Sequence, residues 1–372
     1  MLTTIFFALF CIYVSFSLFF IVVYFINSVD IPSINRILGL FVLISIYAII
    51  FSILVKISLD LTLDVFSFWT IVILLVPIVI LLVLIFFSTT FNNLVKYRLS
   101  FARKFFYELE TKLTQKIQAM NPTRQDTMRK INHVLIFAGL LGLWYVCVVV
   151  FSSVVGSVEG MLPSEKNVLL VFFETIINQA SPLGPLLKLG WFYYIIFYFF
   201  YSLFIIMIAN EFTRKSERCC LPFNYISRII LTEDEKRGYG TYLYFSIGHL
   251  FASLFCPPMV FFSILGVSSI ADLVASQVGI RYGNRRIKWN KEKTWEGTLT
   301  ATIVCFIICV FFVGFAWSFI FSIAFLVVDI VTGIGFRNLE ISDNLLTPIA
   351  LTFIYMSITL VFALPYETFI LL

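Results

Sequence analysis

The chain has 372 residues, 60% of them hydrophobic and 13% charged, with a mean hydropathy of +1.00. Soluble domains carry roughly 25% charged residues, so this composition excludes a soluble globular protein and implies an integral membrane one. The net charge of +5 is concentrated in loops, which fits the cytoplasmic excess of Lys and Arg and gives no reason to invoke a nucleic-acid partner.

Apolar runs long enough to cross a bilayer, roughly 20 residues each, occupy 4–26, 37–55, 66–87, 133–158, 191–209, 242–260, 260–278, 299–319, 320–336 and 345–362. The N-terminus begins apolar, without a basic leader or small-residue cleavage site, and reads as a retained first span. The sixth and seventh runs form one stretch, divided at Pro257-Pro258 because proline breaks helices. The segment 168–187 is ambiguous: it is apolar but holds Glu174, Asn178 and the sequence Ser181-Pro-Leu-Gly-Pro185. The cysteines show neither zinc-ligand nor disulfide spacing, and lipidation of the juxtamembrane Cys219-Cys220 pair is the lesser reading of those two residues.

Charge orients these spans. The loop 92–132 carries nine basic against three acidic residues, a net +6, and the loop 280–297 carries six against two, a net +4. Placing both on the cytoplasmic side gives ten crossings with both termini outside. Within the first loop Leu99, Ala102, Phe106, Leu109, Leu113, Ile117 and Met120 recur at helical spacing, which predicts an amphipathic helix on the headgroups. The expected fold is therefore all-α: a polytopic transmembrane helical bundle of about ten spans plus a cytosolic amphipathic helix. It divides into a three-span unit (1–90), a basic linker (91–132) and a polytopic domain (133–372).

Four polar blocks stand out in the later spans. Asp272 lies about two helical turns before Gly279, and Gly283 follows about one turn later. An acid at membrane depth is costly and usually functional, and its hard oxygens suit Mg2+ bridging nucleotide phosphates. The two glycines permit close backbone approach to phosphate; the plainer alternative is a snorkelling polar residue beside a glycine cap. In the second block, Lys293 and Arg281 can neutralise a triphosphate and Thr294 can bond phosphate or cap the next helix, against an alternative of simple positive-inside anchoring. The third block, Asp343-Asn344 before Pro348, is also a plausible helix cap. The fourth, Arg129-Lys130-Ile-Asn-His133, opens a span. Asp329, isolated among Val327-Val328 and Ile330-Val331, should face a polar cavity.

In this order the blocks resemble the CTP-dependent lipid kinases: dolichol, phytol and farnesol kinases and the yeast-type diacylglycerol kinase. The family pattern runs Arg-Lys-x-x-His, Gly-Asp with Ala three residues on and Gly-x-x-x-Gly, Lys-Ser-x-Glu-Gly, then Asp-Asn before a Pro. The chain reads Arg129-Lys130-Ile-Asn-His133, Asp272…Ala275…Gly279-Ile-Arg-Tyr-Gly283, Lys293-Thr-Trp-Glu296-Gly297 and Asp343-Asn344…Pro348. Ala271 stands where the family has Gly, and Thr294 where it has Ser. Asp329 lies near the place of a family Glu, with a longer stretch before Asp343 than the pattern has. The resemblance covers about residue 129 to the end.

It implies phosphoryl transfer from CTP to the hydroxyl of a membrane lipid such as dolichol or another polyprenol, at the cytosolic face of the endoplasmic reticulum or of a prokaryotic cell membrane. By the same resemblance Asp272 and Asp343 would bind Mg2+, Lys293 and Arg281 would contact phosphate, and Gly279 and Gly283 would cradle it. Thr294, Arg129, Lys130 and His133 fall at cofactor-binding positions. Glu296 and Asp343 are candidates for a second metal ligand or base, and Asn344 for orienting a phosphate or a metal-bound water. Two competing readings remain: a CDP-lipid synthase, whose Pro-Gly-His-Gly-Gly signature is missing here, and a transporter, which the clustering of polar residues at one face disfavours.

Overall fold

The computed structural model describes residues 122–154, 191–215, 238–336 and 339–362, with single positions between 83 and 121 and between 227 and 235. The unit 1–90 apart from Val83, most of the amphipathic segment and the segment 168–187 lie outside the described residues. The described part is 86% helical. Among the described residues three helices are long and apolar enough to cross a membrane: Pro258–Tyr282, Trp295–Val331 and Asp343–Phe362.

Helix α1 (Pro122–Val154) begins eleven residues before the apolar run expected there, so Arg129 and Lys130 belong to the helix and not to a linker. Helix α2 (Trp191–Lys215) follows, then α3 (Thr241–Phe255). The break after α3 falls at Cys256–Pro257, with Pro258 at the first position of α4 (Pro258–Gly266), where its missing N–H costs nothing. A π turn (Val267–Ala271) joins α4 to α5 (Asp272–Tyr282), and the Asp272 N–H bonds the Val267 carbonyl five residues back. The extra residue in that turn rotates the following register by about 100°, which sets the direction in which Asp272 leaves the helix.

The helical fold agrees with the all-α expectation, and two short hairpins join its helices. Strands β1 (Arg286–Ile287) and β2 (Asn290–Thr294) pair antiparallel across the Lys288-Trp289 turn, and β3 (Gly333–Phe336) pairs with β4 (Leu339–Ile341). The first hairpin is irregular: Arg286 pairs with Thr294 and Ile287 with Asn290, so Lys291–Lys293 bulge. A bulge re-aims side chains, and here Lys291 and Glu292 stay exposed while Lys293 turns inward. Asn290 clamps this hairpin to the bundle, donating to the carbonyls of Ile330 at 2.9 Å and Thr332 at 2.6 Å.

Between the hairpins runs α6 (Trp295–Val331), 37 residues by hydrogen bonding but broken at Gly314, whose φ of 78° and ψ of 179° are not helical. A straight helix would separate Thr298 from Asp329 by about 45 Å. Instead the Thr298 hydroxyl bonds the Asp329 carboxylate at 2.5 Å. The element therefore doubles back at Gly314 as two arms, Trp295–Val313 and Phe315–Val331, of about 28 and 25 Å. These correspond to the two apolar runs read from the sequence, except that the reversal falls inside the first run, at Gly314 and not at 319–320, and the second arm ends at Val331. Helix α7 (Asp343–Phe362) completes the bundle. Its interior is aromatic: Phe200, Phe245, Phe261, Phe262, Trp317, Phe321 and Phe325 are all nearly inaccessible.

The Gly314 backbone lies in a region nearly reserved for glycine, where another residue costs about 1–3 kcal/mol. Gly314→Ala should therefore lower the thermal midpoint in detergent. Gly142→Ala, at a helical position with open space around its Cβ, should leave it unchanged or raise it.

Candidate functional site

The four polar blocks meet. Lys130, near the start of α1, donates to Asp272 Oδ2 at 2.9 Å and to the Asp272 carbonyl at 3.2 Å. Lys293, on the β2 bulge, contacts Asp329 Oδ1 at 2.7 Å and Asp343 Oδ2 at 3.4 Å. The second oxygen of Asp329 takes the Thr298 hydroxyl, and Asp343 Oδ1 accepts the Asn344 N–H at 2.9 Å. The two halves of the cluster act on each other electrostatically: Asp343 feels both lysines, and Asp272 feels Lys293 and Asp343. Five side chains from α1, α5, β2, α6 and α7 form one ion network.

Most of it is out of water. The side chains of Asp272 and Asp329 are 8% and 2% exposed, whereas Asp343 keeps 29%. Burial alone would lower the Lys293 pKa, but the carboxylates of Asp343, Asp329 and Asp272 outweigh it and hold the ammonium above the ordinary lysine value. At Lys130 the same contest, with Asp272 the largest opposing charge, also ends raised. An ammonium has three donors. Each lysine spends two on the contacts above, which leaves one.

Behind Asp272, helix α1 is tied to α5 by a second contact set. Asp126 accepts from Ser276 at 2.5 Å and Gln277 at 3.1 Å, and Gln277 also donates to the Thr123 carbonyl at 3.1 Å. Neither Asp126 nor its partners stood out in the sequence. Their signal was the helical offset of Ser276 from Asp272, too common to read alone. Asp329 and Thr298 were visible as polar residues in apolar runs, but their pairing needed the reversal at Gly314.

The remaining predicted residues divide. Thr294 caps α6, accepting from the Gly297 N–H at 3.3 Å. Gly279 and Gly283 pack on that cap: a Cβ on Gly279 would lie 3.1 Å from Thr294 Oγ1, and one on Gly283 would lie 2.6 Å from its Cγ2. A Cβ on Gly297 would lie 2.5 Å from the Ala275 carbonyl, so these glycines let α5 and α6 touch backbone to backbone. Glu296 sits outside the network, accepting the Arg285 N–H at 3.1 and 3.2 Å. Arg129 pairs with Glu235 at 2.8 Å, Arg281 is exposed on the last turn of α5, and His133 lies flat on Phe245. Asn344 is buried at the start of α7.

Among the described residues no group of three or more His, Cys, Asp or Glu side chains is placed to hold a metal ion. A Mg2+ ion that arrives on nucleotide phosphates needs only one or two protein carboxylates. Of the acids in the network, Asp343 is the most open to such an ion, being partly exposed and held by Lys293 only at 3.4 Å. Comparison with family models, with curated proteins and with solved structures finds no match.

A raised lysine pKa contributes stability at every pH below the unfolded value of about 10.4 and loses it only as pH climbs through the folded value. Lys293 should thus stay protonated at pH 9. Amine-reactive labelling at that pH, read by peptide mass spectrometry, should modify the exposed Lys288 and Lys291 and spare Lys293.

Proposed function

We propose that the protein phosphorylates a membrane lipid alcohol, with CTP as donor, at a cytosol-facing site. The observation that carries this reading is the meeting of one residue from each of the four blocks that bear the resemblance: Lys130, Asp272, Lys293 and Asp343. Residues scattered over more than 200 positions of chain have no packing reason to gather as buried ions.

In this reading the alcohol oxygen attacks the γ-phosphorus and the bond from that phosphorus to the bridging oxygen breaks. The alcohol proton passes to a carboxylate, and CDP leaves. Phosphoryl transfer of this kind is mostly positioning and charge neutralisation. The remaining donors of Lys130 and Lys293 serve the phosphate oxygens. Asp343, the most exposed of the three acids, would in this reading accept the proton or, with Asp272, hold Mg2+. The two lysines and three aspartates sum to −1, and a divalent cation would turn this to +1, the sign a triphosphate requires. Asp329 touches Lys293 and Thr298, and in this reading it is a positioning residue for the lysine. The membrane would be the endoplasmic reticulum in a eukaryote or the cell membrane in a prokaryote.

Membranes containing the protein are given a long-chain alcohol and CTP labelled at either the γ or the α phosphate. Label from the γ position on lipid is expected. Transfer from the α position would instead make the protein a cytidylyltransferase, and no transfer would remove both enzyme readings. Asp272→Asn should cut γ transfer by about 10²–10³-fold, the scale of losing one electrostatic contact at a reacting centre, while membrane insertion is unchanged. Retained transfer would take Asp272 out of the mechanism.

A further inference from the structure

A cleft of about 670 Å3 lies among α1, α2 and α3, next to the ion network but not part of it. Its two ends differ in chemistry. Asn132 and His133 of α1, Asn210 of α2 and Tyr242 of α3 line one end. Leu140 and Leu143, two to three turns further along α1, face Phe199 and Leu203 at the other. From Arg129 to Leu143 the cleft runs about 20 Å along the helix axis. Leu135, Leu143 and Phe199 on its walls are exposed, as side chains that face a bilayer are.

The polar end carries no net charge to spare. Arg129 is paired with Glu235, and Arg214 with Glu211 at 2.5 Å. Glu211 in turn accepts the Tyr242 hydroxyl, to which Asn210 donates at 2.8 Å. What faces the cleft there is amide, phenol, imidazole and hydroxyl, together with the Arg129 guanidinium, which Glu235 neutralises. His133 is 8% exposed, stacks on Phe245 with ring centroids 3.9 Å apart, and has no hydrogen-bond partner for Nδ1 among the described residues. It stands one helical turn from Lys130 and within electrostatic reach of Asp343, so it joins the cleft to the ion network.

We infer that this cleft binds the acceptor as an uncharged long-chain alcohol, with its chain along α1 and α2 and its hydroxyl at His133. The inference rests on the kinase reading for what happens to that hydroxyl. The cleft's own chemistry selects the headgroup: the Arg129 guanidinium on its wall is already neutralised by Glu235, so this end takes an alcohol and leaves the phosphate of a phosphatidate without a free counter-charge.

Gly139 allows a clean test. It lines the cleft, and a Cβ there meets nothing within 4 Å, so a larger side chain fills the cavity without disturbing the helix packing. Gly142, equally open but absent from the lining, is the control. The purified full chain in detergent is photolabelled with a diazirine-bearing long-chain isoprenoid alcohol. Labelling of Gly139→Leu should fall by about tenfold or more, the equivalent of ~1.4 kcal/mol, and that of Gly142→Leu should match the parent. Unlabelled alcohol should compete, and phosphatidate at the same concentration should not. Undiminished labelling of Gly139→Leu, or equal competition by phosphatidate, overturns the inference. Labelling that follows the expected pattern in a protein that moves no γ-phosphate upholds the cleft and removes the kinase reading. Phosphoryl transfer at the parent rate in Gly139→Leu upholds the kinase and removes the cleft.

Discussion

Lys293 touches one carboxylate 36 residues further along the chain and another 50 residues along. Those contacts close the first hairpin, the two arms of α6 and the start of α7 on one another. Asp329 reaches Lys293 only because α6 reverses at Gly314, and Asp343 only because the second hairpin returns the chain to the same level. Lys130 ties the N-terminal side of the bundle to the same cluster through Asp272. Each carboxylate therefore constrains a different piece of chain, and the position of every helix end near the site is set by a charge that has to be compensated.

Such a network is expensive. Removing each ion from water costs several kcal/mol, and the mutual attraction returns that only when remaining donors and acceptors are satisfied. Thr298 on Asp329, the Asn344 N–H on Asp343 and the second Lys130 contact on the Asp272 carbonyl supply that satisfaction. A hydrophobic cluster of the same volume would hold the bundle together at least as well. In the proposed reading, it is the charged ligand that the two lysines and three acids serve.

The glycines and threonine of the central blocks have a mechanical job. Gly279, Gly283 and Gly297 bring α5 and the first arm of α6 into backbone contact around Thr294, whose hydroxyl caps the arm. That contact fixes the distance between Asp272 on one helix and Lys293 just before the other. The Ser or Thr at this position and the glycines around it can therefore be required by the site without touching a ligand. Glu296 behaves alike, holding the Arg285 N–H at the entry to the hairpin.

The amino-acid sequence determined the membrane class, the division at Pro257-Pro258 and the pair of apolar arms in α6; it singled out Lys130, Lys293 and Asp343 through the resemblance of their blocks, and Asp272 and Asp329 as acids out of place in apolar surroundings. These are legible because a charge in an apolar run is a local departure, visible without knowing what it meets. Partnership is a different matter. The sequence put phosphate-cradling glycines beside Asp272 where the fold packs them on Thr294, and it left Asp329 without a role. It also missed the β2 bulge and the π turn that aim Lys293 and Asp272, and it put His133 with the cofactor residues and not in a cleft wall. Each of those outcomes depends on rotations of the chain between distant residues, at Gly314, at Val267–Ala271 and at Lys291–Lys293. Only the packed bundle fixes those rotations, because the charges that reward them come from elsewhere in the chain.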